Sequence, residues 1–399
     1  KQTMSKSSTE KRYIIYASLL LICVVMPSLP YIKGRLNSVP LLMSAYWCVI
    51  IGVIFFILPW LYIPTKGDKY LVGYGFSGGI IFIALQFVTA VMMKKLAASP
   101  YDTSLFGIMM NIITIFPQIL AREMVRQYSF AGAYKTLRYK RVAIVAITVI
   151  FCLIEINFGS LLTTKTVKDL SIYTIQTVAP IITRNILMSV LVFYGGVLPS
   201  VVYIGIIQLF EKCFPVLPAL SWLIEGSIGI AFPVIYGTFV VDHVFAGSSH
   251  EITDRKSDIK YLVSLLLATA FVWFNVGVFP VYPSVILTGS MEPLIMPGDV
   301  VLVQKIEKEE QINTLTVGEI ISFKRGNITI THRIKKVLKD KAGNISFETK
   351  GDNNSAADEN KVEPNDVKGI VIKVVPKIGL PALILREQDK IPEGVVDKK

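Results

Sequence analysis

Four side chains in the last third of the chain are of the types that acyl-transfer chemistry needs. Ser290 sits in "VILTGSMEPLIMPGDVVLV" (285–303), between Gly289 and Met291. His332 stands in "THRI", and "TKGDNNSAADEN" (349–360) carries Asp352 and Asp358 six residues apart. A serine hydroxyl is a weak nucleophile until a base takes its proton, and that base must itself be oriented. Serine, histidine and aspartate in one small domain can supply this. Their order along the chain decides nothing, since such sets are recognised by geometry. Each also has an ordinary alternative. Ser290 could sit in a plain turn, a lone histidine on a strand is usually structural, and Asp352 before Asn353-Asn354 has the composition of a turn cap.

The elements that must position these residues differ sharply on either side of residue 283. Hydrophobic residues make up 52% of the chain and charged residues 18%, with mean hydropathy +0.55. The apolar bias lies before residue 283. The runs Tyr13–Ile32, Leu41–Ile63, Tyr70–Met93 and Tyr261–Pro280 are long enough to cross a hydrocarbon core of roughly 30 Å as helices. This predicts a polytopic α-helical membrane domain. Residues 284–399 carry 18 Lys/Arg and 17 Asp/Glu, a net of +1, which leaves +11 of the chain's +12 on the membrane part. A basic excess there is explained by cytoplasmic loops, and nothing in it calls for a nucleic-acid partner.

Topology follows from the basic clusters. The residues before Tyr13 carry Lys6, Lys11 and Arg12; loop 122–141 carries Arg122, Arg126, Lys135, Arg138, Lys140 and Arg141; loop 243–260 carries Arg255, Lys256 and Lys260. Placing all three in the cytoplasm satisfies the positive-inside rule. With further spans at about Ser104–Leu120 and Val142–Phe158, and three more in 171–241 broken near Gly195-Gly196 and Glu211–Phe214, the expectation is nine crossings. Seven result if 171–211 is one tilted or re-entrant unit. Both counts are odd, and that parity puts residues 1–12 in the cytoplasm as a tail, 13–283 in the membrane, and 284–399 outside the cell. The first span reads as a retained anchor, because no clear small-residue cleavage site follows it. Glu155, Arg184 and Glu225 fall within spans and are functional candidates by default. Their blander explanation is a span end for Glu155 and a helix boundary for Arg184.

The four cysteines, Cys23, Cys48, Cys152 and Cys213, lie in or beside apolar spans with no zinc-site spacing, and the polar tail has none. After residue 283 the period changes. "DVVLVQKI", "GEIISFKRG", "NITITHRIKKV", "NISFETKG" and "VKGIVIKVV" are short, rich in Val, Ile and Thr, and separated by Gly, Asp and Asn. That is a strand pattern, and it predicts a small all-β domain. The apolar stretch "PKIGLPALIL" (376–385) either docks on the membrane or completes the core.

"TGSMEPLIMPGDVVLV", "THRI" and "TKGDNN…D", in this order and at these spacings, resemble signal peptidase I, more narrowly its endoplasmic-reticulum type, shared by archaea and some Gram-positive bacteria. The common bacterial type uses a lysine base; this sequence has Thr331-His332-Arg333 at the matching place. The resemblance covers about residues 284–378. It implies Ser290 as nucleophile and His332 as general base, Asp358 as the aspartate that orients the histidine, and Asp352 as a second that supports the site. It also implies that the Thr288 hydroxyl joins the Ser290 backbone N–H as oxyanion donor, although a threonine there is equally an ordinary strand former. Pro293 and Pro297 stiffen the turn, Met291 and Leu294 would touch lipid or an apolar substrate helix, and Pro297, Gly298 and Asp299 form a tight turn. Glu292 matches the family without a chemical task that can be derived for it.

The resemblance thus implies a serine endopeptidase that removes signal peptides from exported preproteins, cutting after small residues at −1 and −3, with no metal or cofactor. Its partners would be preprotein signal peptides, the lipid bilayer and the secretion translocon. About nine helices are a departure, since relatives carry one or two. A rival from another class is a multi-pass transporter or assembly scaffold whose β domain binds exported proteins without cutting them.

Overall fold

Apolar side chains in long runs leave the backbone no partner but itself, and a helix satisfies its N–H and C=O groups within one segment. The computed structural model describes residues 2–29, 32, 34, 40–61, 63, 70–249, 255–306, 309–326, 328–340, 345–380 and 383. It divides into two compact units, Lys1–Thr163 with Ile172–Thr269, and Thr164–Ser171 with Ala270–Lys399.

Among the described residues there are nine long helical segments. They are α1 (Gln2–Val25), α2 (Pro40–Gly52), α3 (Leu71–Met92), α4 (Leu105–Thr136), α5 (Lys140–Glu155), α6 (Val167–Gly195), α7 (Val197–Cys213), α8 (Trp222–Ser249) and α9 (Arg255–Asn275). Five stretches, Lys11–Ser28, Leu71–Met92, Leu105–Thr136, Val167–Gly195 and Trp222–Val244, are long and apolar enough to cross a membrane, and Leu41–Ile57 and Lys260–Asn275 are shorter apolar helices. Their outward faces carry exposed Phe56, Leu105 and Leu267, which water would penalise and lipid would not. Inside, α1 and α2 pack on α4, α3 packs on α7, and α8 packs on α6. Small residues set the closest approach. A Cβ on Gly75 would run into the backbone of Pro199, and one on Gly78 into the ring of Tyr236, the contact that small residues permit between membrane helices.

The predicted loop 122–141 is corrected by this structure. Helix α4 continues to Thr136, and only 137–139 connect it to α5. Two of the six basic residues are not loop charges: Arg126 is fully buried against Glu123, and Arg122 pairs with Glu155 at 2.6 Å. Lys135, Arg138, Lys140 and Arg141 remain exposed. Arg184 does not mark a helix boundary either; it lies within α6 and holds Glu155 at 2.7 Å. Glu155 does end its helix. Glu225, in the first turn of α8, accepts a hydrogen bond from Gln176. Helices α6 and α7 part at Gly196 and α7 ends at Cys213, so 171–211 holds the greater part of two helices. His250 lies outside the described residues; His243 is on α8, its Nδ1 beside the Phe239 carbonyl.

The second unit holds a six-stranded antiparallel sheet of β3 (Val281–Val285), β4 (Val300–Lys305), β5 (Ile320–Arg325), β6 (Ile328–Lys339), β7 (Ile345–Lys350) and β8 (Val367–Val375), in the order β3-β4-β8-β5-β6-β7. Two further short strands, β1 (Leu96–Ala98) and β2 (Val216–Pro218), pair within the helical unit. The large sheet starts at Val281, just ahead of residue 284. Side chains alternate across it, so Ile321, Phe323, Ile330, Ile334, Phe347 and Val367 bury one core, and Ile286, Met291, Ile295, Val301 and Val303 bury a second. Met291 is therefore a core residue, 1% exposed, and not a lipid contact, whereas Leu294 is 56% exposed. Of the 376–385 stretch, residues 376–380 fold back on the turn before β4: Lys377 N–H donates to Asp299 Oδ1 at 3.0 Å and Gly379 N–H to the Gly298 carbonyl at 2.8 Å. Residues 381–382 and 384–385 lie outside the described residues.

Candidate active site

Ser290 lies in the connection between β3 and β4. The neck of that connection is closed by Ile286 N–H donating to the Asp299 carbonyl and Gly298 N–H donating to the Ile286 carbonyl, each at 2.8 Å. Gly298 turns the chain there with φ +90°, a conformation glycine adopts at no steric cost. The buried Asp299 carboxylate takes the Met296 and Lys377 N–H groups. Met291 and Ile295 anchor the tip in the apolar cluster, and burying each contributes about 1.5–3 kcal/mol. Gly289 has a local reason as well. A Cβ there would collide with the Glu292 carboxylate, so Glu292 packs over the residue before the serine.

A second turn locks the first from below. Asn353 N–H donates to the Ser290 carbonyl at 2.9 Å, and its side-chain amide donates to the Gly289 carbonyl at 3.1 Å. Gly351 is the close approach: an added Cβ would stand 2.6 Å from the Ser290 carbonyl oxygen. The segment that carries both aspartates is thus fastened to the backbone of the serine.

His332 is placed by strand alternation. On β6, Ile330, His332 and Ile334 share the buried face, and the imidazole is fully buried while Ser290 is 5% exposed. Its Nε2 lies 3.1 Å from Ser290 Oγ, and its Nδ1 lies 2.8 Å and 3.0 Å from the two Asp358 carboxylate oxygens. The Asp358 carboxylate also accepts the Thr349 hydroxyl at 2.5 Å, and Asp358 N–H donates to the Thr349 carbonyl at 2.8 Å. Thr349, fully buried on β7, was not singled out from sequence, where a strand threonine carries no distinguishing signal.

Arg333 is the next residue along β6, with the opposite orientation. Its guanidinium clamps Asp352 in a two-point ion pair, Nε to Oδ1 at 2.8 Å and Nη2 to Oδ2 at 2.6 Å, and its Nη1 donates to the Gly318 carbonyl at 2.7 Å. These hydrogen bonds hold the Asp352 carboxyl below the usual carboxylate range and push Arg333 up. The structure therefore brings Ser290, His332 and Asp358 into one hydrogen-bonded chain and gives Asp352 to Arg333 instead. Thr288, two residues before Ser290, is half-buried in the same turn. The described residues hold no cluster of His, Cys, Asp or Glu suited to a metal ion.

A buried hydroxyl facing an imidazole that is itself held by a carboxylate can do acyl transfer through a covalent serine ester. Comparison with known proteins agrees with that chemistry. Residues 259–341 match the signal peptidase family, peptidase S26. The chain is similar to the signal peptidase complex catalytic subunit SEC11 of Verticillium alfalfae, 34% identical over 137 residues, which is 31% of this chain and 77% of that protein. The chain belongs to the signal peptidase family. The corresponding subunit of Colletotrichum graminicola is 36% identical over 138 residues, again 31% of this chain and 77% of the relative. Subunit SEC11C of Rattus norvegicus is 33% identical over 121 residues, 28% of this chain and 61% of that protein. The chain thus spans about six tenths of the length of the mammalian relatives it matches. All of this similarity lies in the carboxyl-terminal part, and it supports the endoplasmic-reticulum type of signal peptidase.

Proposed function

We propose that this protein is a membrane-bound serine endopeptidase that cleaves signal peptides from exported preproteins, with the Ser290–His332–Asp358 chain as its catalytic machinery. The observation that carries this is the pair of hydrogen bonds on one imidazole, 3.1 Å to Ser290 Oγ and 2.8 Å to Asp358. His332 Nε2 takes the hydroxyl proton as Ser290 Oγ attacks the scissile carbonyl, and Asp358 stabilises the imidazolium that forms. The imidazolium then protonates the leaving amine, leaving an acyl-enzyme on Ser290. A water, deprotonated by the neutral imidazole, attacks the ester; the imidazolium returns that proton to Ser290 Oγ as the acyl bond breaks, freeing the new carboxylate. The Ser290 N–H and the Thr288 hydroxyl hold the oxyanion. Asp352 supports the site by fixing the turn whose Asn353 N–H holds the Ser290 carbonyl.

The substrate lies extended beside the sheet, recognised by small residues at −1 and −3 as signal-peptide cleavage sites are. The chain crosses the cell membrane nine times, with residues 1–12 inside, 13–283 in the bilayer, and the β domain of 284–399 outside, where signal peptides emerge. Support for that orientation is the exposed cluster Lys135, Arg138, Lys140 and Arg141 at the turn between α4 and α5. Location beside a secretion translocon follows from the substrate class. The purified full chain should convert a model preprotein to its mature form, and sequencing the new amino terminus should place the cut after the small residues. Ser290→Ala should leave the preprotein intact. Equal cleavage by Ser290→Ala would overturn the assignment, and no cleavage by wild type would favour the scaffold alternative.

A further inference from the structure

Asp358 is a buried charge with few partners. Its side chain is 3% exposed, and among the described residues only His332 and Thr349 approach its carboxylate as donors. An ionised carboxylate can accept at about four lone-pair sites, and burying it is costly unless those sites are used. The two donors converge on one oxygen: Oδ2 accepts the Thr349 hydroxyl at 2.5 Å and lies 2.8 Å from His332 Nδ1. One donor alone leaves a carboxylate free to pivot about that contact. A second donor, itself fixed, removes the pivot.

Thr349 is fixed. It is fully buried on β7, where its register partner on β6 is Ile334, two residues from His332 on the same buried face. Its branched Cβ restricts χ1. Its carbonyl accepts the Asp358 N–H at 2.8 Å, so one residue grips both the backbone and the carboxylate of Asp358. The sense of each hydrogen bond follows from chemistry. An ionised carboxylate only accepts, so the Thr349 hydroxyl donates, and the imidazole nitrogen facing Asp358 must carry a proton. With that proton on Nδ1, the neutral ring keeps its lone pair on Nε2, the nitrogen 3.1 Å from Ser290 Oγ.

We propose that Thr349 is a positioning residue for the reaction: its hydroxyl holds the Asp358 carboxylate on Nδ1 and so keeps His332 in the tautomer whose Nε2 can take the serine proton. Being fully buried, Thr349 acts through Asp358 and not on the substrate. The role rests on the Ser290–His332–Asp358 reading above. Two pairs of full-length chains separate the hydroxyl from the packing around it: wild type against Thr349→Val, and Thr349→Ser against Thr349→Ala. For each, kcat and KM on a model preprotein would be measured beside the melting temperature. The ring-nitrogen resonances of His332, identified by their loss in His332→Ala, report which nitrogen carries the proton. Losing the hydroxyl should cut kcat roughly 10- to 100-fold within each pair at unchanged KM, the scale of a hydrogen bond to a charged group. Wild type and Thr349→Ser should show the proton on Nδ1, and Thr349→Val and Thr349→Ala a mixture of the two tautomers. Should Thr349→Val fail to fold, the serine and alanine pair carries the comparison. A wild type that cleaves no preprotein would sink the signal-peptidase reading, while the nitrogen spectra would still decide the role of Thr349. Wild-type kcat in Thr349→Val, equal kcat in Thr349→Ser and Thr349→Ala, or a tautomer unchanged by loss of the hydroxyl would overturn that role.

Discussion

His332 and Arg333 are neighbours in sequence and opposites in space, and this decides which aspartate each receives. A strand turns successive side chains to opposite faces, so the imidazole enters the core with Asp358 while the guanidinium takes Asp352. Replacing each aspartate should therefore have a different signature. Asp358→Asn should cut kcat on the order of 10⁴-fold with little change in stability, because it removes the charge that stabilises the imidazolium. Asp352→Asn should spare most of the rate and cost about 1 kcal/mol of stability. Its effect should also depend on pH. The Asp352 carboxyl lies below its ordinary range because Arg333 hydrogen-bonds its ionised form. The stability it contributes is thus complete above the ordinary carboxylate pKa of about 3.9 and is lost as the pH falls through the lowered value. Melting curves of wild type and Asp352→Asn should differ at neutral pH and converge in strong acid. A larger loss of rate in Asp352→Asn than in Asp358→Asn would reverse the two roles. From sequence the serine, the histidine and both aspartates were legible because their types and spacing are unusual together. Arg333 and Thr349 were not, since an arginine or a threonine on a strand is ordinary until its partner is seen.

At the scale of elements, the site is two turns fastened to each other, one after β3 and one after β7, the two edge strands of the sheet. The turn of 351–354 supports the serine by hydrogen bonds to the carbonyls of Gly289 and Ser290, and Gly351 allows the contact. Gly351→Ala should push the Ser290 carbonyl aside and lower kcat/KM by about 10²-fold, since a displacement near 1 Å costs that much; the sheet should keep its melting temperature within a few degrees. Retained activity in Gly351→Ala would show that the second turn does not hold the serine. The alternation of apolar residues made the β domain legible, and the breaks at Gly196 and after Cys213 were legible as helix ends. The 122–141 loop was misread for a physical reason. Six basic residues in twenty imitate a cytoplasmic loop, yet Arg126 pairs with Glu123 one turn away on the same helix, and Arg122 with Glu155 on α5 and Arg126 with Asn185 on α6 through contacts distant in sequence, none of which a local count of charge shows.

At the scale of the whole molecule, a β domain of the signal peptidase family follows an extensive helical unit, of which the family match takes in only part of the last helix, from residue 259. The proposed topology puts the α4–α5 turn and the β domain on opposite sides of the membrane. In a background with Cys23, Cys48, Cys152 and Cys213 replaced, single cysteines at Arg138 and Ser355, both exposed, report this directly. An impermeant thiol reagent applied to intact cells should label the Ser355 position and not the Arg138 position until the membrane is opened. Labelling of both from outside would refute the topology and leave the catalytic geometry untouched.

The central claim is that Ser290 and His332 act as one catalytic unit, and kcat/KM for a model preprotein measured on wild type, Ser290→Ala, His332→Ala and the double variant tests it most directly. Members of one unit are strongly non-additive, so each single substitution should cost on the order of 10⁴-fold or more and the double should cost no more than either alone. Near-normal turnover in His332→Ala, or losses that multiply in the double variant, would contradict the account.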